Sequence, residues 1–297
     1  MSSNSRVARI GLGLLLLAAG WTGCTRSKPN PADARRHPLT GEVVSVDTAR
    51  NVLVVKHDAI EGVMPAMTME FAVTRGEAAV AKAGQKIRAT LVEPEKSDAE
   101  WRLEQIWPDD TAASRAVEEK AKELRQETLA RGRSAYREVG DTIPNFALYD
   151  QNGQVVEAGR FRGKKVMLNF IFTRCPVANM CPASTAKMAM TQKLAREQGV
   201  TNLELVSITM DPAYDTPGVL KDYAETRGID TSNFSFLTGP ENAIKDLLAN
   251  FGVLAEFDGD LLKHTLATVL IDEKGRIIHR SDFSAWEPKE FVAKMKR

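Results

Sequence analysis

The chain has 297 residues, more than the about 100 to 200 of a typical domain, so its length predicts two compact units with connecting segments. Hydrophobic residues make up 43% of the chain and charged residues 27%, which excludes wholesale disorder, a collagen-like fibre and a polytopic membrane protein. The 40 Lys and Arg residues nearly balance the 39 Asp and Glu residues, which argues against nucleic acid as a partner because phosphate binding needs concentrated positive charge. Three cysteines are too few for a disulfide scaffold, so each of them needs its own explanation.

The first segment of the chain is typical of an export signal. Arg6 and Arg9 precede an apolar run over residues 10–21, which is shorter than the about 20 residues that span a bilayer. Small residues follow this run, as they do before a signal cleavage site. We therefore expect residues 1–23 to be a secretory signal peptide.

The sequence Trp21-Thr22-Gly23-Cys24 resembles a bacterial lipobox, whose cysteine is lipidated and becomes the mature N-terminus. The resemblance implies a lipoprotein that is attached to a membrane through Cys24. Residues 24–37 contain prolines and mixed charges and are then a tether. The alternative is an ordinary signal peptide that is cleaved nearby.

Short segments of alternating hydrophobicity predict a first domain over residues 38–110. The predicted strands cover residues 42–46, 52–57, 67–73, 86–92 and 102–107. Five strands in so short a stretch are typical of a small closed all-β barrel.

A helical linker is predicted over residues 111–138. Residues 112–131 are rich in Ala, Glu, Lys and Arg, with opposite charges four residues apart, which supports a solvent-exposed helix. Its apolar stripe is narrow, so we expect a spacer helix between domains and not a coiled coil.

Strand-like and helical patterns alternate over residues 139–297 and predict a second, α/β domain. The predicted strands cover residues 166–172, 203–210, 234–237, 266–271 and 276–280, and the predicted helices cover residues 182–198, 217–227, 241–250 and a segment after Pro288. A βαβ unit followed by a hairpin and a helix is the order of a thioredoxin-like fold.

Cys175 and Cys181 lie where a buried strand is predicted to end and a helix to begin, which is where open α/β sheets bind ligands. Cys181 is expected at the N-cap with Pro182 at the first helical position, so that the positive end of the helix favours its thiolate. Thiolates bind metals and attack disulfides. The alternative is a structural disulfide that closes the short loop, which would remove little entropy from the unfolded chain.

His264 precedes the predicted strand 266–271, which should run antiparallel to the strand that leads to Cys175. Antiparallel pairing brings the start of one strand beside the end of the other, so the imidazole is expected close to the two sulfur atoms. Two thiolates and an imidazole form a soft donor set that suits copper and is also acceptable to zinc.

A second soft donor set is predicted in the first domain. Three of the ten methionines of the chain lie within residues 64–69. Met67 and Met69 are two residues apart and point to the same face of a strand, and His57 lies on the neighbouring strand. Such a set selects Cu(I), whereas two such methionines alone would more often be core residues.

The second domain resembles the Sco/SenC family. The resemblance rests on the sequence 172–176 (Phe-Thr-Arg-Cys-Pro), a second Cys-Pro, Asp211-Pro212 followed by Asp215-Thr216-Pro217, and His264-Thr265 before an apolar strand. It implies a thioredoxin fold that binds copper through Cys175, Cys181 and His264 and helps to assemble the CuA centre of cytochrome c oxidase. The family typically places three residues between its cysteines, whereas five lie between them here. Asp211 and Asp215 are also family-like and are interpreted as turn and cap residues.

The first domain is similar to CusF, a small OB-like periplasmic copper-binding barrel. The similarity rests on His-Asp-x-Ile at residues 57–60 and Met-Pro-x-Met-Thr-Met-x-Phe at residues 64–71. It implies that His57, Met67 and Met69 hold Cu(I) or Ag(I). Met64 stands where that family has a tryptophan lid, and is either a further thioether ligand or a hydrophobic cover.

Two soft-metal sites in one exported chain predict a membrane-tethered copper chaperone that faces the periplasm of a bacterial cell envelope. The expected recipient is cytochrome c oxidase subunit II or another cuproprotein. The alternative is an enzyme, a thiol:disulfide oxidoreductase that keeps the cysteines of a cuproprotein reduced, although the usual Cys-x-x-Cys spacing is absent. A third hypothesis is a copper or silver buffer for metal resistance.

Overall fold

The computed structural model of the protein describes residues 35–94, 99–109, 112–258 and 261–296. The predicted signal peptide, most of the predicted tether and Cys24 lie outside the described residues. No helix in the described part of the chain combines the length and the apolar character that crossing a bilayer requires.

The N-terminal domain is a single five-stranded sheet with one short helix. It consists of β1 (Arg36–Asp47), β2 (Val52–His57), β3 (Met67–Ala72), α1 (Arg75–Val80), β4 (Lys86–Val92) and β5 (Arg102–Pro108). The strands pair in the order β1-β2-β3-β5-β4, and β4 also pairs with β1, so the sheet closes on itself. The inward positions of the alternating pattern, among them Leu53, Val55 and Phe71, are fully buried. Strands β2 to β5 agree with the predicted bounds to within one residue, whereas β1 begins six residues earlier than predicted and α1 was not predicted.

Helix α2 (Ala113–Arg131) differs from the predicted spacer helix. Its narrow apolar stripe is buried, with Ala121 and Leu124 in the core of the second domain. The Arg125 guanidinium also lies 2.8 Å from the buried carboxylate of Asp246. The prediction of a solvent-exposed spacer is therefore wrong, because a stripe of small and aliphatic residues is wide enough to pack on another helix.

The C-terminal domain is a seven-stranded sheet with helices packed against it. Its elements are β6 (Ala147–Asp150), β7 (Val155–Glu157), β8 (Lys165–Ile171), α3 (Cys181–Glu197), β9 (Leu203–Thr209), α4 (Pro217–Thr226), β10 (Phe234–Thr238), α5 (Glu241–Asn250), β11 (Ala255–Asp258), β12 (Leu261–His264), β13 (Ala267–Ile271), β14 (Ile277–Asp282) and α6 (Pro288–Met295). The sheet has the order β14-β13-β8-β9-β10-β6-β7, while β11 and β12 form a separate hairpin. Strands β8, β9 and β10 are parallel, and β13 is antiparallel to β8, as predicted.

A buried polar residue fixes helix α3 over the central strands. Asn169 of β8 donates from Nδ2 to Ser184 Oγ of α3 at 2.9 Å and accepts from Ser207 Oγ of β9 at 2.6 Å. Both hydrogen-bonding groups of its side chain are thus satisfied, which avoids the cost of a buried unpaired amide. This arrangement places the start of α3 at the carboxyl end of β8.

The two domains contact each other through α1 and α4. A Cβ atom built on Gly218 would lie 2.5 Å from Glu77 Oε2 and 2.7 Å from the Cα atom of Glu77. A Cβ atom on Gly76 would likewise overlap the carbonyl oxygen of Gly218. The absence of side chains at these glycines allows the two helices to approach closely.

We predict that Gly218→Ala lowers the free energy of unfolding by about 1 to 3 kcal/mol, because the new methyl group meets backbone atoms that must move. In an unobstructed helix the same change would raise stability by about 1 kcal/mol, so the sign of the effect reports the close contact. Urea unfolding of the full chain measures it. The matched control is Gly159→Ala, whose Cβ would have no atom within 4 Å. A more stable Gly218→Ala variant would show that the helices lie further apart.

Candidate metal centres

The first candidate centre lies at the carboxyl end of β8. Cys175 is in the loop after β8, Cys181 is the first residue of α3, and His264 is the last residue of β12. Thr268 of β13 pairs with Asn169 of β8, so the start of β13 lies beside the end of β8 and carries His264 toward the cysteine loop.

The structure brings these three side chains together. One ligand atom of each residue lies within 4.8 Å of the others, and Cys181 Sγ is 3.9 Å from His264 Nε2. Both cysteines are free thiols, with Cys181 buried and Cys175 half-buried. The predicted convergence is therefore present, while metal ligation by these residues stays a prediction.

His264 is oriented so that one ring nitrogen faces the thiols. Its Nδ1 lies 3.0 Å from the carbonyl oxygen of Thr265, which can only accept a hydrogen bond, so Nδ1 is the protonated nitrogen. Nε2 then carries the lone pair that a metal needs. Burial lowers the pKa of His264, which keeps the ring neutral, and the ring of Phe172 packs edge-on at 5.2 Å between centroids.

The environment of Cys181 differs from the prediction. Helix α3 begins at Cys181 itself and Met180 is the N-cap, one residue earlier than expected. Burial raises the pKa of the Cys181 thiol, so the thiolate that the helix terminus was expected to favour is not the resting form. A metal that binds here must displace the thiol proton.

Two buried carboxylates hold the residues that precede Cys175. Asp215 accepts a hydrogen bond from the backbone N–H of Thr173 at 3.1 Å and another from the Thr173 hydroxyl. Asp211 accepts from the Arg174 guanidinium at 2.7 Å, and that guanidinium also lies over the ring of Tyr214 at 4.1 Å. Arg174 and Thr173 are thereby fixed next to the loop that carries Cys175.

Sequence reasoning missed this role of the two aspartates. The sequence interprets Asp211 and Asp215 as turn and cap residues, whereas the side chain that caps α4 is that of Thr216, which accepts from the N–H of Val219. The carboxylates of Asp211 and Asp215, however, are buried and point toward residues about 40 positions earlier. Nothing in the local pattern Asp-Pro-x-x-Asp-Thr-Pro distinguishes such long-range contacts from an ordinary turn.

The second candidate centre lies in the N-terminal barrel around His57. The side chain is 2% exposed, and its Nδ1 lies 2.7 Å from the carbonyl oxygen of Asp58. Its Nε2 is buried and has no hydrogen-bond partner among the described residues. A buried nitrogen with a free lone pair is costly unless something binds it, and a soft metal ion would.

The strand register places the methionines next to this histidine. His57 pairs with Met67 and Val55 pairs with Met69 across β2 and β3, so these side chains share one face. Val55 lies in the barrel core, and Met69 and Met64 pack against that core. Met67 is 45% exposed, so this candidate centre opens to solvent on one side. One imidazole and several thioethers are neutral soft donors, which fit Cu(I).

Comparisons with known proteins match both parts of the chain. Residues 134–297 match the family model of SCO1/SenC, and residues 36–108 match that of the copper binding periplasmic protein CusF. The predicted resemblance to Sco/SenC with a CusF-like N-terminal domain is therefore confirmed. A thioredoxin-like C-terminal fold, a β-rich N-terminal domain and copper as the bound metal are confirmed with it.

Individual relatives cover about half of this chain. An SCO2-like protein of Rickettsia typhi is 34% identical over 156 residues, which are 50% of this chain and 74% of the relative. A SCO1/SenC family lipoprotein structure from Bacillus anthracis is 29% identical, with a TM-score of 0.48, and covers 52% of this chain and 94% of its own. The structure of Bradyrhizobium japonicum ScoI with copper bound is 28% identical, with a TM-score of 0.44, and covers 54% of this chain and 99% of its own.

We predict that Asp215→Asn flattens the pH dependence of stability between about pH 4 and pH 6. Burial raises the pKa of Asp215 from 3.8 to about 6, so the folded state holds this proton more tightly than the unfolded state does. The contribution of Asp215 to stability is then fully present below about pH 4 and is lost as the pH rises through 6.

Relative to the variant, the wild type should lose at most about 3 kcal/mol of unfolding free energy over this range. Urea unfolding of the metal-free protein at a series of pH values measures the difference. The control is Asp230→Asn, because the exposed Asp230 has a pKa lowered to about 2 by Arg196 and does not titrate in this range. A constant difference between wild type and Asp215→Asn would contradict the prediction.

Proposed function

Because the chain belongs to the SCO1/SenC family, we propose that it is a metallochaperone that captures copper in the bacterial cell envelope and delivers it to another protein. The observation that carries the proposal is the convergence of Cys175, Cys181 and His264 within 4.8 Å. A second soft donor set in the same chain, around His57, supports the same metal.

In the C-terminal centre the two sulfur atoms and His264 Nε2 would hold the copper ion. Thiolates and imidazole are soft donors and form strong bonds to copper. Loading replaces the proton of the buried Cys181 thiol by the metal, so a positive ion and a thiolate replace a neutral group. Cys175 is half-buried and is the sulfur that an incoming ligand reaches first.

In the N-terminal centre His57, Met67 and Met69 would hold Cu(I), in an OB-like barrel of the CusF type. These donors are all neutral, so the centre favours a monovalent soft ion over harder divalent ions. Met64 packs partly against the barrel core beside them, which suits either a further thioether ligand or a hydrophobic cover. The exposed side of Met67 gives copper a way in.

A chaperone that delivers copper must release the ion again, and the ion leaves each proposed centre by ligand exchange with the recipient protein. Both proposed centres combine buried donors with one donor that solvent reaches, Cys175 in one and Met67 in the other. A recipient that offers further sulfur or imidazole ligands would take the ion from that side. The recipient we propose is subunit II of cytochrome c oxidase, whose CuA centre is assembled with copper, or another cuproprotein.

The proposed location is the periplasmic side of a bacterial membrane, with lipidation of Cys24 as the anchor. Residues 24–35 would be the tether, because residues 36 and 37 of the predicted tether pair with β4 as part of β1. The CusF-like domain would follow up to residue 110, with 111–138 as a linking segment and 139–297 as the Sco/SenC domain. The family match of the second domain begins at residue 134, close to this boundary.

The oxidoreductase alternative is not favoured. A reductase needs a reactive thiolate, whereas burial raises the pKa of the Cys181 thiol. The cysteines are also separated by five residues, and His264 and Thr265 precede the strand where thioredoxin-like reductases carry a proline.

We predict two independent copper sites in an anaerobic Cu(I) titration of the full chain against a competing chelator. Cys175→Ser or His264→Ala should abolish one site, and Met67→Ala should weaken or abolish the other. Loss of one thiolate or imidazole donor typically lowers metal affinity at least tenfold.

The matched control for Met67→Ala is Met190→Ala, since Met190 is 60% exposed on α3 and belongs to neither proposed centre. Expression of the protein, or sensitivity of cells that lack it, under copper or silver excess distinguishes a resistance buffer from an assembly factor. Unchanged stoichiometry in Cys175→Ser would overturn the proposed C-terminal centre. Rapid reduction of insulin by the metal-free protein would favour the oxidoreductase instead.

A further inference from the structure

The barrel contacts the segment that supports the cysteine loop. Residues 211–216 connect β9 to α4, and their side chains hold Thr173 and Arg174 next to Cys175. On its other side, the same segment is hydrogen-bonded to two residues of the barrel: it donates to Glu77 and accepts from Gln105.

The first of these contacts is buried. Glu77 of α1 is 3% exposed and accepts a hydrogen bond from the Thr216 hydroxyl at 2.6 Å. Burial raises the pKa of Glu77 to about 7, while Thr216 and the backbone of Ile106 offset part of that rise. The carboxyl group therefore sits at the start of α4, next to the hydroxyl that caps the helix.

The second contact lies at an irregular position of β5. Gln105 donates from Nε2 to the carbonyl oxygen of Ala213 at 2.8 Å, and its Oε1 accepts from the Thr90 hydroxyl at 2.7 Å. The backbone φ of Gln105 is 54°, a conformation that costs energy for a non-glycine residue, and the β4–β5 register shifts there. The irregularity directs the side chain out of the barrel toward the second domain.

The cysteine loop itself has few anchors of its own. Residues 176–179, which separate the cysteines together with Met180, are exposed. The backbone N–H of Cys175 bonds to the carbonyl of Phe172 at 3.3 Å, and Ser284 donates to the carbonyl of Asn179 at 2.8 Å. The position of Cys175 thus depends on Thr173 and Arg174, and through them on residues 211–216.

We propose that Glu77 and Gln105 of the barrel are positioning residues for the Cys175, Cys181 and His264 centre. They hold residues 211–216 from the barrel side, and that segment holds the start of the cysteine loop. That this centre binds copper rests on the proposed function, whereas the hydrogen bonds of Glu77 and Gln105 to residues 211–216 do not. The barrel would then support the Cys175, Cys181 and His264 centre, in addition to binding copper itself.

Preorganisation of the three ligand residues should raise the copper affinity of the cysteine centre. A ligand set that is held in place before copper arrives spends less binding free energy on ordering the loop. Loss of one supporting hydrogen bond should therefore weaken copper binding at the cysteine centre without removing any ligand.

The test is an anaerobic Cu(I) titration of the full chain that carries Met67→Ala, which is expected to weaken or abolish the barrel site, so that the cysteine centre is the tighter site. Gln105→Ala in this background should weaken binding at the cysteine centre by about threefold to tenfold, the equivalent of one hydrogen bond. The matched control is Gln85→Ala, because among the described residues the Gln85 side chain bonds within the barrel, where it accepts from the N–H of Lys82 at 3.0 Å. In a separate sample of each variant loaded with Cu(II), Gln105→Ala should also change the thiolate-to-Cu(II) absorption band, and Gln85→Ala should not.

A second pair of variants tests the buried contact. Glu77→Ala should weaken copper binding more than Gln105→Ala does, whereas Glu77→Gln keeps an oxygen acceptor for Thr216 and should restore most of the affinity. If Glu77→Ala does not fold, the result with Gln105→Ala alone tests the positioning role. The Gln105 side chain is partly exposed, so its removal leaves the core intact.

Different results would contradict the positioning role of Gln105 and the proposed copper centre. Equal affinity and equal absorption in Gln105→Ala and Gln85→Ala would overturn the positioning role, although copper still bound. Absence of any thiolate-to-copper absorption in the Met67→Ala parent would instead overturn the proposed centre, and the inference with it.

Discussion

The antiparallel pairing of β13 with β8 is the constraint on which the candidate centre depends. The register sets Thr268 opposite Asn169, so the residues just before β13 lie beside those just after β8. His264 and the two cysteines are more than 80 positions apart in the chain, yet their ligand atoms lie within 4.8 Å. A shift of one residue in this register would turn the side chains of β13 to the opposite face of the sheet and would displace the histidine.

Burial gives this centre a neutral resting state. The pKa of Cys181 is raised and that of His264 is lowered, both mainly through desolvation. Each shift favours the uncharged form of its residue, so the pocket avoids the cost of isolated buried charges. A soft cation that replaced the thiol proton would supply the counter-charge that a buried thiolate would otherwise lack.

Most of the fold can be predicted from the sequence, because strands and helices produce hydrophobic patterns among residues that are close together in the chain. Alternation and apolar runs identify the five barrel strands and the central strands β8 and β9, and Thr216-Pro217 marks the start of α4. The pairing of Met67 with His57 follows from strand order and spacing alone. The raised pKa of Cys181, the roles of Asp211 and Asp215 and the burial of α2 all depend on contacts between distant segments, for which one sequence carries no periodic signal.

The packing of α2 restricts how the two candidate centres could exchange copper. The solvent-exposed spacer helix that the sequence predicted would let the barrel move toward the cysteine loop. Instead Ala121 and Leu124 lie in the C-terminal core, and Gly76 packs against Gly218 where α1 meets α4. Bending of α2 would expose this apolar surface to water, at about 25 cal/mol for each Å². The barrel is therefore held against the C-terminal domain. Copper exchange between the two centres would require either separation of α1 from α4 or a copper carrier in solution.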